Sequence, residues 1–169
     1  MRDEISHLRD ENARLRAEAD ALAAHFAFAL LAAQDLASLK PGACYWLVDG
    51  WNAILGAKPA HAPTGPFGRP ASPEDLLANA RAHLAEHPDD FVWVVFDGAR
   101  EDTRVDGRLR VSYTGGTGPQ RADRFILDFL RMACWRFATP PIEVVTDDKR
   151  LRREVARLTG AARQGRGVT

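Results

Sequence analysis

The chain has 169 residues, 46% of them hydrophobic, and its 23 basic and 23 acidic side chains cancel to a formal net charge of zero. That length suits one domain with an appendage, and the apolar share fills a real core. The N-terminus is charged and lacks the apolar core of a signal peptide, and no apolar run is long enough to cross a bilayer. Cys44 and Cys134 lie in apolar surroundings without metal-type spacing, and read as small buried residues of a reducing compartment. The expectation is a cytoplasmic protein with no membrane partner.

Residues 1–39 are rich in Ala, Leu, Arg and Glu and read as a helix. A heptad frame fits, with Ile5, Asn12, Ala19, Phe26 and Ala33 at a and Leu8, Leu15, Leu22, Ala29 and Leu36 at d. Glu4 and Glu11 then take g and Arg9 and Arg16 take e, which are the g-to-e′ charge pairs of a parallel dimer, and Asn12 at a fixes register. After Leu22 the helix becomes apolar on more faces. Residues 1–22 are therefore expected to pair as a coiled coil that makes a homodimer, and 23–39 to lie on the domain. The alternative is one amphipathic helix packed on its own domain.

Lys40-Pro41-Gly42 breaks the helix. Tyr45-Trp46-Leu47-Val48 then runs into Asp49-Gly50-Trp51-Asn52, which predicts a buried parallel strand over about 44–49 with Asp49 at its carboxyl end. Gly50 allows a sharp exit and Asn52 can point back to Asp49; the plainer reading is an Asx turn. Residues 56–73 read as a Pro/Gly/Ala-rich loop in which His61 is solvated. Ser72-Pro73-Glu74-Asp75 starts a helix to about His87, with Leu76, Leu77, Ala80 and Leu84 inward.

Phe91 to Phe96 is a second buried strand, ended by Asp97-Gly98. Residues 100–110 are polar and Arg-rich, and Leu109 to Tyr113 alternates like a more exposed strand. A flexible Gly-rich loop leads to a helix from about Gln120 to Phe137. Asp123 shares a stripe with Leu127, Leu130 and Cys134, so its carboxylate is expected to point toward the sheet; Asp128 points away. Ile142 to Thr146 is the last strand, ended by Asp147-Asp148. Lys149 to Leu158 is a helix closed by Thr159-Gly160, with Leu151, Val155 and Leu158 inward. From Lys149 onward seven basic residues face one acid, Glu154, and residues 161–169 form a basic tail.

Three strands thus end in acids, and Asp123 opens a helix aimed at the same edge. Clustered carboxylates cannot all stay ionised unless cations join them. Oxygen-only ligands suit Mg2+ or Mn2+, and one or two such ions could act on a phosphodiester. Arginines nearby would hold phosphates: Arg100, Arg121, and the face of Arg150, Arg153 and Arg157, which could equally be a solvated surface.

Val48-Asp49-Gly50-Trp51-Asn52, Val95-Phe96-Asp97-Gly98, Arg121-Ala122-Asp123-Arg124-Phe125-Ile126 and Val145-Thr146-Asp147-Asp148 with Leu151, in that order, resemble the NYN branch of the PIN-like nucleases, most closely the YacP-like group. The resemblance spans about Tyr45 to Gly160. It implies a doubly wound, mainly parallel α/β domain over 44–160 and a metal-dependent ribonuclease. The family's motif positions fall on Asp49, Asn52, Asp97, Asp123 and Asp148. Where the family commonly reads Thr-Ser-Asp, Asp147 replaces Ser and becomes an extra candidate ligand. The family usually continues past this Gly-Ala into one more strand; here Gly160-Ala161-Ala162 is followed only by Arg163 to Thr169, so that edge is expected to be short or missing.

The function expected is that of an endoribonuclease cutting single-stranded or loop RNA at an Mg2+ or Mn2+ site. Asp49, Asp97, Asp123 and Asp148 would be ligands with Asp147 in reserve, and Asn52 would orient Asp49 or a phosphate. Two rivals stand beside it. One is a non-catalytic, dimerising RNA-binding adaptor of the same fold. The other is an HAD-type phosphatase, which needs a second acid where Trp51 stands.

Overall fold

A computed structural model describes residues 2–55, 65–99, 101–115, 120–137 and 140–164, with side chains for all of these except 2–6, 17–26 and 161–164. The chain divides into two units, Met1–Ala37 and Ser38–Thr169. Arg100, His61 and the tail 165–169 lie outside the described residues.

The first unit holds all but the last residue of a 37-residue helix, α1 (Arg2–Ser38), built from good helix formers. Every described side chain from His7 to Arg16 is exposed. Leu8 and Leu15, seven residues apart, are 60% and 52% exposed. Glu11 pairs with Arg14 one turn away in its own helix at 3.8 Å. After the helix, Gly42 takes φ +86° and the Ala43 N–H closes a turn onto the Lys40 carbonyl, a conformation that a side chain at Gly42 would strain.

In the second unit, β1 (Tyr45–Asp49), β2 (Phe91–Phe96), β3 (Glu101–Asp106), β4 (Leu109–Thr114) and β5 (Ile142–Val145) form one sheet in the order β3-β4-β2-β1-β5. β1 pairs in parallel with β2 from Tyr45↔Phe91 to Asp49↔Val95 and with β5 from Tyr45↔Ile142 to Val48↔Val145. β2 and β4 are parallel, and β3 alone is antiparallel. The helices are α2 (Gly50–Leu55), a 3₁₀ turn (Gly65–Phe67), α3 (Pro73–Glu86), α4 (Arg121–Arg136) and α5 (Lys149–Gln164).

Alternation along the strands sorts the core into two layers. Val48, Val92, Val94, Phe96, Leu109 and Val111 pack with Leu76 and Ala80 of α3 and with Phe67 of the 3₁₀ turn. On the opposite face, Tyr45 lies 4.7 Å from the Phe129 ring of α4, and Trp93 meets Phe125 and Phe129 edge-on. Trp93 is fully buried, and its indole N–H donates to Ser112 Oγ at 2.8 Å. Each such buried aromatic contributes about 1.5–3 kcal/mol. Helices therefore cover both faces of a mostly parallel sheet.

α3 starts as its sequence dictates, with Ser72 as N-cap accepting the Asp75 N–H at 3.1 Å and Pro73 in the first turn. At the amino ends of the strands, Asp90 Oδ1 accepts the Cys44 N–H, while Oδ2 accepts the Trp46 indole N–H and meets His83 Nε2 at 3.0 Å. Burial, Asp90 and Glu143 push the Cys44 thiol up to about 12.

Several expectations need correction. The polar run after Asp97 contains a strand, β3, lying at the edge with five of its six residues exposed; charges there guard an open edge, and they hid the strand from a search for apolar alternation. β4 is not the more exposed strand but is buried from Leu109 to Ser112, because it lies between β3 and β2. The loop expected over 56–73 includes a 3₁₀ turn whose Phe67 is in the core. Thr159-Gly160 does not close α5, which continues to Gln164; the Thr159 hydroxyl bonds back to the Val155 carbonyl at 3.0 Å and so caps nothing. Cys44 and Cys134 are half-buried rather than buried. Among the described residues no helix is long and apolar enough to cross a membrane.

Candidate functional site

The chain runs β1, β2, β4 toward one side, and α4 then carries it across to β5 on the other side of β1. The reversal leaves a crevice at the carboxyl end of β1, where open α/β sheets bind ligands. Asp49 is the last residue of β1 and is 3% exposed.

The Asp49 carboxylate is held on both sides. Asn52 Nδ2 donates to Oδ2 at 2.6 Å, Thr146 Oγ1 donates to the same oxygen at 3.1 Å, and the Asn52 N–H reaches Oδ1 at 3.4 Å. The last contact caps α2, so the turn-forming role and the site role coexist in one side chain. Burial pushes Asp49 above the ordinary carboxylate range, the donors from Asn52 and Thr146 counter it, and Asp97 adds repulsion.

Asp97 follows β2. Its Oδ1 accepts the Thr114 hydroxyl at 3.1 Å and the Ala122 N–H at 2.8 Å. It thereby ties the end of β4 and the first turn of α4 to the end of β2. The first turn of α4 lacks a side-chain cap from Gln120, whose φ is +61°, so the Asp97 carboxylate satisfies a helix donor that would otherwise be orphaned.

Asp123 stands one residue beyond that contact. The buried stripe of α4 is Ala122, Ile126, Phe129, Leu130 and Ala133. Asp123, Leu127 and Cys134 are half-buried beside it, so the expected core-facing line was one position off. Asp123 faces a groove of about 280 Å3 between α4 and α5, with Gln120, Arg124, Arg131, Arg150 and Glu154 among its lining residues. Its carboxyl is pushed up to about 6, first by burial and then by Asp49, Asp148 and Asp97, with Arg150 opposing. Asp49, Asp148 and Asp97 thus all repel charge on Asp123.

Asp148 is the N-cap of α5. Its Oδ1 accepts the Arg150 N–H at 2.6 Å and the Leu151 N–H at 3.4 Å, and its own N–H donates to Thr146 Oγ1. Asp147 lines a second pocket of about 220 Å3 with Trp46, Arg152 and the two partners of Asp49, Asn52 and Thr146. Its carbonyl accepts from Arg152 at 3.3 Å.

Of the arginines, Arg150 lines the groove and bonds Gln120 Oε1 at 2.8 Å. Arg121 is half-buried at the start of α4, while Arg153 and Arg157 are exposed on α5 away from the groove lining. Sequence reading gave no site role to Thr146, Thr114, Arg124 or Arg131. Thr146 had a legible signal, a hydroxyl directly before a strand-ending acid pair. Thr114 had none, because its partner is 17 residues away.

Among the described residues no three His, Cys, Asp or Glu side chains converge into a ready-made metal-binding group. No family model matches the chain, and no curated protein or solved structure matches it.

Proposed function

We propose that the second unit is a metal-dependent endoribonuclease of the NYN, PIN-like type, hydrolysing phosphodiester bonds of single-stranded or loop RNA. One observation carries the reading: Asp123 is pushed up to about 6 by burial and by Asp49, Asp148 and Asp97 together. An acid repelled by three others near the point where the strand order reverses is short of positive charge. Oxygen-only surroundings fit Mg2+ or Mn2+.

Asp49, Asp97, Asp123 and Asp148 would hold the cation, with Asp147 supplementing them. Mg2+ usually keeps several waters and takes one or two carboxylates directly, so an acid set that is spread out still suits it. Such an ion would offset the negative charge that develops on a phosphodiester under attack. Asn52 and Thr146 donate to the Asp49 carboxylate and orient it. Asp97 fixes the first turn of α4, and with it the direction of Asp123. Arg150 faces the same groove and can take a phosphate neighbouring the scissile one; Arg121, Arg153, Arg157 and Arg100 are further phosphate contacts. α1 pairs in parallel with α1 of a second copy through the Leu8–Asn12–Leu15 stripe, making a homodimer.

The absence of three converging ligands among the described residues favours a second reading, a non-catalytic RNA-binding adaptor of the same fold. Incubation with a mixed RNA pool, in Mn2+ or in chelator, followed by mapping of new ends, separates the two. New ends in Mn2+ alone support the nuclease; RNA retention with no new ends in either condition leaves the adaptor.

A further inference from the structure

Trp51 is an exposed aromatic in a fixed place. It follows Asp49-Gly50 and is 39% exposed. Its indole N–H donates to the Asp97 carbonyl at 2.8 Å, and its ring meets the fully buried Phe96 edge-on at 5.1 Å. Phe96 is in turn stacked on Tyr113, with ring centroids 5.3 Å apart. One edge of the indole is therefore anchored in the core while part of the ring meets solvent. A tryptophan held rigidly with an open surface loses little side-chain entropy when a flat partner stacks on it.

The contacts around it form a continuous path. Trp51 bonds the backbone of Asp97, the Asp97 carboxylate bonds the Ala122 N–H, and the next residue, Asp123, opens the groove between α4 and α5. Within that groove Arg124 and Arg131 lie two turns apart on one face of α4, and Arg150 faces them from α5. An aromatic platform bonded to Asp97, and a groove in which Arg124, Arg131 and Arg150 stand beside Asp123 and Glu154, match the two parts of a nucleotide chain. Bases stack on aromatic faces whatever their identity, and phosphates follow basic grooves. A duplex hides its base faces inside the stack and could not use the platform.

We propose that an unpaired polynucleotide strand lies across this edge, with one base stacked on Trp51 and the phosphates beyond the acids running into the Arg124/Arg131 groove. The proposal rests on the nuclease reading for its direction, and it supplies the selectivity for unpaired strands. Arg131 exchanges its present partner, Asp128, for phosphate. Arg153 and Arg157, outside the groove lining, contribute less than Arg124 and Arg131.

Binding of the full-length protein to a labelled RNA dodecamer in chelator tests this without requiring cleavage. The probes are the unpaired strand, the same strand with single abasic nucleotides at successive positions, and the matched duplex. The unpaired strand should bind more tightly than the duplex, and one abasic position should lower affinity by roughly ten-fold. Trp51→Ala should lower affinity for the intact strand by a similar factor and erase the abasic effect, while Trp51→Phe keeps most of both. Replacing Arg124 and Arg131 together by Gln should reduce the salt slope by about 1.4, the value for two phosphate contacts on a single strand; replacing Arg153 and Arg157 should reduce it less. The abasic series uses unaltered protein, so it reads out even if Trp51→Ala fails to fold. Equal affinity for intact and abasic strands overturns the platform. An unchanged salt slope in the Arg124/Arg131 variant overturns the groove. A protein that behaves as expected here but never cuts RNA loses the nuclease reading alone, and one that cuts RNA while ignoring Trp51→Ala and abasic positions loses this one alone.

Discussion

The Thr146 hydroxyl donates to Asp49 Oδ2 at 3.1 Å across 97 residues of sequence. This bond joins the carboxyl ends of β5 and β1, the two strands that flank the reversal in strand order. The same oxygen of Thr146 accepts the Asp148 N–H, so one hydroxyl orients two of the four acids. Thr146→Val keeps the shape and removes the hydroxyl. It should destabilise the protein by about 1–3 kcal/mol, since Asp49 remains buried with one donor fewer. Thr146→Ser keeps the hydroxyl and should recover most of the loss. Urea unfolding of the two variants checks this; equal stability of Val and Ser would show that the bond contributes nothing.

Gly50 is needed for a steric reason rather than a conformational one. A Cβ placed there would stand 2.3 Å from Phe96 Cε1, inside a fully buried ring. Phe96 cannot retreat easily, because Tyr113 stacks on its other side. Gly50→Ala should therefore cost about 1–3 kcal/mol by overpacking and should tilt Trp51, whose ring meets Phe96. Combining it with Phe96→Leu should cost less than the sum of the two single changes, a coupling that a double-mutant cycle in urea measures.

The parts of this fold that follow from periodicity were legible. The apolar runs at Tyr45–Val48 and Phe91–Phe96, and the Ser72-Pro73 helix start, carry their own signals. β3 did not, because an edge strand needs no buried face and its Glu, Asp and Arg residues imitate a loop. β4 was misjudged because Arg110 looked like a solvent-facing residue, whereas its guanidinium lies over the Phe91 ring and donates to backbone carbonyls, leaving the residue 5% exposed. For the site, acids at strand ends pointed to Asp49, Asp97 and Asp148, since parallel strands align their carboxyl ends. The direction of Asp123 depended on a rotation of α4 set by Ala122, Ile126 and Phe129, and one residue of error redirected it. The hydroxyl partners, Thr114 and Thr146, are long-range facts that a linear pattern does not carry.

Asp90 forecasts the acid side of the stability profile. Burial alone would raise its carboxyl, but the Cys44 N–H, the Trp46 indole and His83 together hold it below the ordinary value of 3.8. A depressed carboxyl contributes stability above its unfolded value, and that contribution is lost as pH falls through the lower folded value. Asp90→Asn should cost about 1–3 kcal/mol at pH 7 and should lose less than the wild type between pH 4 and pH 2. Urea midpoints across that range test it; parallel curves would mean that Asp90 is not a source of acid lability.

The α1 stripe forecasts assembly. Leu8, Asn12 and Leu15 are all exposed, and Glu11 and Arg16 stand where a parallel partner would pair them. Leu8→Lys with Leu15→Lys should convert a dimer to a monomer without unfolding the second unit. Sedimentation equilibrium decides it: a wild type that is monomeric at high concentration ends the pairing reading. Asn12→Leu should leave the dimer intact but raise its stability, with some loss of register.

The acids themselves make the sharpest forecast. Asp123 is raised from 3.8 to about 6, so the folded state binds a proton that the unfolded state releases. Its contribution to stability is present below about pH 4, falls as pH rises toward 6, and stays lost above. Asp123→Asn removes that slope. Relative to wild type, the variant should gain about 1 kcal/mol between pH 4 and pH 7 in metal-free buffer, a figure reduced because the carboxylate is only half-buried and partly screened. Mg2+ or Mn2+ competes with the proton for the same oxygens, so added cation should raise the wild-type melting temperature more at pH 7 than at pH 5. Asp49→Asn, Asp97→Asn and Asp148→Asn should each shrink that shift and abolish cleavage. They differ in metal-free stability. Asp97→Asn and Asp148→Asn weaken acceptors that hold the first turns of α4 and α5, and so should each lose about 1 kcal/mol. Asp49→Asn relieves the cost of burying the carboxylate but turns an amide NH2 toward a donor, and so should lose at least as much. Thermal melts of the four variants, with and without cation at both pH values, read all of this at once. If divalent ions move none of the curves, the acids are caps and struts of the crevice, and the metal-dependent reading falls with them.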